Sequence, residues 1–181
     1  MSAQSTLAIP RGPITIRAAA ETDAPALGVL RLEALENHPE AFSSDAEIHR
    51  DRPTTFWLDW LRARSDGRAG MLFVAEAADG LIGMAGIRAG DGPKARHSGT
   101  VWGVYVRPDW RGLRIADRLI EACLDWARAH DLTVAKLAVV TTSVPAIRSY
   151  LRCGFGVYGV EPRAIRHDGA YYDEFLMSRL L

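Results

Sequence analysis

The chain has 181 residues, 48% of them apolar and 24% charged, which suits one sizeable buried core and excludes disorder by composition. Twenty-two Lys and Arg balance 22 Asp and Glu, which removes the global basic field of a protein that lives mainly on nucleic acid or anionic lipid. Neither Cys123 nor Cys153 belongs to a Cys-x-x-Cys or Cys/His cluster, and the five histidines form no i, i+4 pair, so no metal is expected.

Residues 1–12 read as a flexible tail and 13–181 as a single domain. The N-terminus lacks the apolar run of a signal peptide, and no stretch approaches the roughly 18 apolar residues of a membrane helix. A soluble, cytoplasmic protein with no membrane partner is expected.

Ile14 to Arg17 alternates apolar and polar, as a half-buried first strand does. Thr22 and Asp23 are placed to cap a helix, with Pro25 in its first turn and Leu27, Leu30, Leu32 and Leu35 at helical spacing until Asn37-His38-Pro39. After Pro53 a second helix carries an aromatic stripe of Phe56, Trp57, Trp60 and Leu61, read as packing against the sheet. Met71 to Ala75, the turn Ala78-Asp79-Gly80 and Leu81 to Ile87 form the clearest hairpin. A β-branched run from Thr100 to Val106 stops at Arg107-Pro108. The pattern from Gly112 to His130 is helical, with Ile115, Leu119, Cys123, Trp126 and Ala127 on one stripe. Val134 to Val140 is a nearly unbroken apolar strand, and Ser143 is placed to cap a short helix that ends at Gly154. Strands at 155–160 and 171–178 close the chain. This order predicts an α/β (α+β) fold: a mixed, mostly antiparallel sheet flanked by helices, with one parallel crossover around the 112–130 helix. Ligands in such sheets gather where strands part at their carboxyl ends, here Val104 to Val106.

Arg107-Pro108-Asp109-Trp110-Arg111-Gly112-Leu113-Arg114-Ile115-Ala116 then puts arginines at the mouth of a long helix. Helix N-termini expose unpaired N–H groups and partial positive charge, so anions settle there. The turn alone fits a phosphate-bearing ligand or a merely solvated Arg-rich loop.

Val104-Tyr105-Val106 followed by that turn resembles the acetyl-CoA signature of the GNAT superfamily of N-acetyltransferases. Ala146 to Phe155 is similar to the family's Ala-x-x-x-Tyr-x-x-x-Gly-Phe motif at the usual distance downstream. The Pro39-Glu40-Ala41-Phe42 loop and the stretch from Glu161 to Leu181 are also similar to many members. The resemblance implies that a splayed parallel strand pair binds the arm of acetyl-CoA, the co-substrate, with Val104, Tyr105 and Val106 contacting it. Gly112, Leu113, Arg114, Ile115, Ala116 and Asp117 would hold its pyrophosphate, with Arg111 opening the cofactor-binding motif. Two departures stand out: Arg114 occupies the family's central Gly, and Ser143 stands where many members carry an Asn that hydrogen-bonds the cofactor arm.

The family reaction needs an amine nucleophile, a donor for the leaving thiolate and an amide for the oxyanion. The resemblance assigns the donor to Tyr150, a phenol of reference pKa about 10 that keeps its proton at neutral pH. It assigns the oxyanion to a backbone N–H at or beside Val104. The base stays open among Glu33, Glu36, Glu76, His97 and Glu174, because the strand position where ribosomal-protein acetyltransferases carry a Glu reads Ala138. The implied function is transfer of an acetyl group to a primary amine, on a small molecule or a protein, without nucleic acid. The alternative is a catalytically weak acyl-CoA-binding or regulatory domain. The resemblance also allows a homodimer, since edge-strand and C-terminal-strand dimers are common in the superfamily.

Overall fold

The computed structural model describes residues 4–9 and 12–181. Eight strands form one sheet in the order β1-β2-β3-β4-β5-β6-β8-β7. The strands are β1 (Ser5–Ile9), β2 (Gly12–Ala18), β3 (Gly70–Ala77), β4 (Gly80–Ala89), β5 (Ser98–Val106), β6 (Val134–Val140), β7 (Gly156–His167) and β8 (Ala170–Leu180). The helices are α1 (Ala24–Asn37), α2 (Thr54–Arg62), α3 (Ile115–Ala129) and α4 (Val144–Arg152). All neighbouring pairs are antiparallel except β5 and β6. That pair joins parallel strands, so the chain must cross over between them, and α3 makes the crossing.

The expected tail needs correction. Ser5 to Ile9 pairs in register with β2, from Ser5 opposite Ile16 to Ile9 opposite Gly12, because an edge strand needs only a backbone ladder and not an apolar face. Residues 1–3, 10 and 11 of that stretch lie outside the described residues.

Each face of the sheet has its own core. Alternation along β6 sends Ala135, Leu137 and Val139 toward α3, where Leu119, Ile120, Cys123 and Trp126 form the apolar stripe. The opposite face receives α1 and α2, with Leu27, Leu30, Trp57, Trp60 and Leu61 packed on Leu72, Val74, Met84 and Tyr105. The aromatic stripe on α2 is therefore core: Trp57 meets Trp60 with ring centroids 5.8 Å apart, and Trp60 meets Trp102 at 5.6 Å. Gly28 lets the two helices approach, since a Cβ there would sit 2.6 Å from Trp57 Nε1.

Both expected caps are modified. Asp23 stands at the N-cap of α1 without a side-chain capping bond. Its carboxylate instead takes two hydrogen bonds from Arg17, at 2.6 and 2.8 Å, and one from the Ala20 N–H at 2.7 Å. Ser143 is the N-cap of α4 at φ −82°, ψ 66°, and it too makes no side-chain capping bond. Its carbonyl accepts the Ile147 N–H, while its dihedrals lie outside the β region from which a cap hydroxyl reaches back to the helix.

Candidate active site

The parallel pair is short. β5 and β6 are in register only from Ser98 opposite Val134 to Thr100 opposite Lys136, and beyond that they part. On the other side of β5 the ladder slips: Trp102 faces Gly86 and Tyr105 faces Met84, so Gly103 and Val104 together oppose Ala85. This is a β-bulge, and Gly103 takes φ +64° to make it. Gly103 and Val104 consequently have no register partner in either neighbouring strand, and where β5 parts from β6 its edge is open to a ligand lying in the gap.

The bulge also decides where the side chains go. Val104 and Val106 face the α3 core, whereas Tyr105 turns to the opposite face. There its hydroxyl donates to Glu33 Oε1 at 2.9 Å and accepts from Asn37 Nδ2 at 3.2 Å. Burial, followed by the Glu33 contact, holds the Tyr105 phenol above its ordinary value despite the opposing Asn37 bond. A contact between Tyr105 and the cofactor arm can only run through its backbone.

At the mouth of the gap, Pro108 to Trp110 make one 3₁₀ turn, and Gly112 at φ +81° and Arg114 at φ +58° bracket Leu113 before α3 begins. The first amide of this stretch to find a helical acceptor is Arg118, which bonds the Arg114 carbonyl at 3.2 Å. Among the described residues, the N–H groups from Gly112 to Asp117 have no backbone acceptor. Six successive unpaired amides at a helix N-terminus form a concave anion cradle. Arg114 thus adopts a left-handed conformation of the kind glycine takes freely, and its side chain stays exposed.

Two arginines brace this turn. Arg111 Nε donates to the Val106 carbonyl at 3.0 Å, and its Nη2 lies 2.9 Å from His38 Nε2. For Arg111 to donate there, His38 must carry its proton on Nδ1, the nitrogen 3.7 Å from Glu40. Arg111 therefore ties the cradle to β5 and to the end of α1. The Asp117 carboxylate is likewise engaged, receiving Arg152 Nε at 2.7 Å and Nη2 at 2.8 Å. Burial would raise this acid, but the bonds from Arg152 and Ser149 and the fields of Arg152 and Arg114 outweigh it and hold it low. At Asp117, then, only the amide is free for a ligand, and the side chain clamps α3 to α4.

Tyr150 lies on α4, 7% exposed, within the α3-side core that also holds Val106, Ile115, Leu119 and Phe155. Its ring meets Phe155 edge-on at 6.1 Å. Burial, reinforced by the neighbouring Cys123 and Cys153 thiols, pushes the phenol above its usual range, so it keeps its proton at neutral pH.

The candidate bases are dispersed. Glu33 bridges Tyr105 and Arg107, the latter at 2.9 Å. Glu36 pairs with Arg50 at 3.0 Å and Glu76 with Arg17 at 2.8 Å. His97 precedes β5, where its carbonyl accepts the Thr133 N–H, far along the strand from the bulge. Glu174 sits opposite Val140 at the open end of β6 and opposite Glu161 on β7. Burial, then Glu161, raises its pKa. Glu33 and Glu174 are the two that the topology brings to the carboxyl ends of the parted strands.

A cleft of about 850 Å³, lined by Glu36 among the candidate bases, opens between the end of α1, the loop through Phe42 and the β7–β8 hairpin. Sequence reasoning missed Arg31, a buried arginine on α1 whose Nε and Nη1 have no hydrogen-bond partner. The available signal was spacing: Leu27, Arg31 and Leu35 recur every four residues on the face that packs on the sheet. Among the described residues no group of His, Cys, Asp and Glu could hold a metal, and no helix is long and apolar enough to cross a membrane.

A sheet opened between a bulged strand and its parallel neighbour, with an amide cradle at the mouth, defines a class of acyl-transferring folds. Residues 30–155 match the family model described as "Acetyltransferase (GNAT) family", and the chain belongs to that family of N-acetyltransferases. It is 31% identical over 121 residues to an L-methionine sulfoximine/L-methionine sulfone acetyltransferase of Pseudomonas paraeruginosa, covering 66% of this chain and 69% of that protein. It is 27% identical over 126 residues to the L-amino acid N-acetyltransferase AaaT of Escherichia coli, covering 67% and 75%. Among solved structures, the yncA protein of Salmonella typhimurium with its cofactor acetyl-CoA superposes with a TM-score of 0.81 at 24% identity, over 93% of this chain and 94% of that one.

Proposed function

We propose that this chain transfers the acetyl group of acetyl-CoA to the amine of a small molecule. The observation that carries the reading is the gap in the sheet. Gly103 and Val104 have no register partner on either edge, and they lead into six amides at the N-terminus of α3 that have no backbone acceptor among the described residues. An extended arm ending in a pyrophosphate fits this arrangement: strand-like backbone contacts along Val104 to Val106, then phosphate oxygens on the amides of Gly112 to Asp117. Bound there, acetyl-CoA supplies the acetyl thioester.

The remaining work falls to the protein. The backbone N–H at or beside Val104, at the bulge, is assigned to the developing oxyanion. The acceptor nitrogen bonds to the acetyl carbon, the carbon–sulfur bond breaks, and Tyr150 gives its proton to the sulfur while the nitrogen loses one. Glu33 and Glu174, near the carboxyl ends of the parted strands, and Glu36, which lines the cleft, are the candidates to take that proton, directly or through water. Ser143, with its hydroxyl outside the capping role, is positioned at the start of α4 to meet the arm. The left-handed Arg114 preserves the cradle, which favours catalysis over a weakened binding domain. A small acceptor is supported by the cleft of about 850 Å³ and by the small-molecule acceptors named for the two curated relatives.

Calorimetry with CoA, dephospho-CoA and pantetheine, together with thiol release across an amine panel, tests the proposal. CoA binding at least tenfold tighter than pantetheine, about 1.4 kcal/mol, and amine-dependent thiol release are expected. Equal binding of pantetheine and CoA refutes the cradle assignment.

A further inference from the structure

Arg31 is out of place by ordinary packing rules. It is 7% exposed, on the face of α1 that otherwise buries Leu27, Leu30, Ala34 and Leu35. Its guanidinium lies 4.8 Å above the Phe42 ring, and its Nη1 lies 4.0 Å from where a Cβ on Gly103 would stand. Nε and Nη1 are sealed from solvent without any hydrogen-bond partner among the described residues. Burying such a cation is costly unless an anion meets it.

The surroundings add no anion. Burial pushes Arg31 down to about 10, and the charged neighbour that acts on it is a second cation, Arg64. Arg64 is itself held low by burial and by Arg88, and its guanidinium rests 4.6 Å above the Trp60 ring. The carboxylate on the same helix, Glu33, is committed to Tyr105 and Arg107. The protein thus places Arg31 over Gly103, the residue before the amide assigned to the reacting carbonyl, and leaves its fork with unused donors.

We propose that Arg31 is the receptor for a carboxylate on the acceptor, and so restricts the enzyme to amines that carry a carboxylate close to the nucleophilic nitrogen, as an α-amino acid does. This rests on the acetyl-transfer reading and names its substrate class. The placement is what an α-amino acid requires. Its carboxylate is joined to the amine through a single carbon, so the group that holds the carboxylate must stand next to the reacting carbonyl rather than deep in a side-chain pocket. Arg31 stands over Gly103, adjacent to Val104. The guanidinium is planar with forked donors that match a carboxylate, and Phe42 beneath it excludes water, which strengthens the pair. The side chain of the amino acid would then extend past Phe42 into the cleft that Leu35, Phe42 and the β7–β8 hairpin line.

Steady-state kinetics with the intact protein and acetyl-CoA test this, using L-amino acids beside their carboxamides and decarboxylated amines. The wild type is expected to favour an amino acid over its carboxamide by at least tenfold in kcat/KM. Arg31→Met should raise KM for the amino acid at least tenfold and leave kcat/KM for the carboxamide within threefold, while Arg31→Lys recovers part of the discrimination. The unchanged carboxamide rate is the control for folding, and the thermal midpoint of Arg31→Met should match or exceed the wild type, since an unpaired buried charge is removed. Absence of discrimination in the wild type, or an equal loss for both acceptors in Arg31→Met, overturns the assignment. A binding arm separates the two readings: N-acetyl-L-leucine titrated into the CoA-bound protein should bind at least tenfold more weakly to Arg31→Met. If that difference holds while no amine is acetylated, the transferase reading fails and the carboxylate site stands. If the difference is absent, the carboxylate site fails.

Discussion

Replacing Arg114 by Gly tests whether the anion cradle is made by backbone or by side chain. Arg114 sits at φ 58°, ψ 24°, a conformation that costs an L-residue about 1–2 kcal/mol through its Cβ. Glycine adopts it freely but gives up roughly 0.5–1 kcal/mol of chain entropy on folding. The difference is a net gain of about 0.5–1 kcal/mol, and at about 2–4 °C per kcal/mol for a chain of this size the melting temperature should rise by about 1–4 °C. The Arg114 side chain is exposed, and glycine is also acceptable at an N-cap, so the path of the amides from Gly112 to Asp117 is retained. Affinity for CoA by calorimetry should therefore stay within about threefold, well under 1 kcal/mol. A fall in melting temperature shows that the left-handed turn is not strained by its side chain. A tenfold or larger loss of CoA affinity shows that the guanidinium itself holds a phosphate, and the backbone account of the cradle is then wrong.

Tyr150→Phe keeps the ring packed on Phe155 and removes the proton donor, so turnover with a competent amine should fall about 10²–10³-fold. Acetyl-CoA affinity by calorimetry should change little, and wild-type turnover in this variant under chemistry-limited conditions contradicts the assignment. Asp23→Asn removes the charge and one of the two oxygens that accept from Arg17 and the Ala20 amide, at a cost of about 1–3 kcal/mol at pH 7 by denaturant unfolding. Burial raises the Asp23 carboxyl, yet Arg17 and Ala20 prevail and hold it below the ordinary value. Its contribution is thus fully present above the unfolded value near 3.9 and vanishes as pH falls through the lower native one, so wild type and variant should converge in acid. Gly28→Ala puts a methyl into the Trp57 indole and should destabilise by about 1–3 kcal/mol, with a rise in acceptor KM as α1 is pushed from α2; unchanged thermal unfolding would show that the helices can part without cost.

Periodicity carried most of the fold. The hairpin turn at Ala78-Asp79, the apolar run of β6 and the stripe on α3 each have a local cause, and each lies where its pattern predicts. β1 was illegible because an edge strand is stabilised by its ladder with β2, which no local pattern announces. The bulge was illegible for a related reason: Gly103 within an apolar run shows that a kink is permitted, whereas only the register against β4 shows that the extra residue is there. The motif pointed by residue to Gly112–Asp117 and to Tyr150, but it spoke of Tyr105 and Asp117 without direction. The fold sends the first toward Glu33 and the second toward Arg152. Arg31 had a helical spacing that flagged it as inward-facing, but its significance depends on Gly103 and Phe42, which reach it only through tertiary packing.

The clamp between Asp117 and Arg152 has a metrical consequence. It joins the first turn of the helix that offers the amides to the last turn of the helix that bears Tyr150, through two bonds at 2.7 and 2.8 Å. On the proposed assignment these helices hold opposite ends of the same donor molecule, so the clamp works as a ruler whose graduation is the span from pyrophosphate to sulfur. Every acyl-CoA shares that span whatever its acyl group. The protein therefore measures the carrier and not the cargo on this side of the sheet, and any preference for acetyl over longer acyl chains must be set across the gap, on the face where α1 lies.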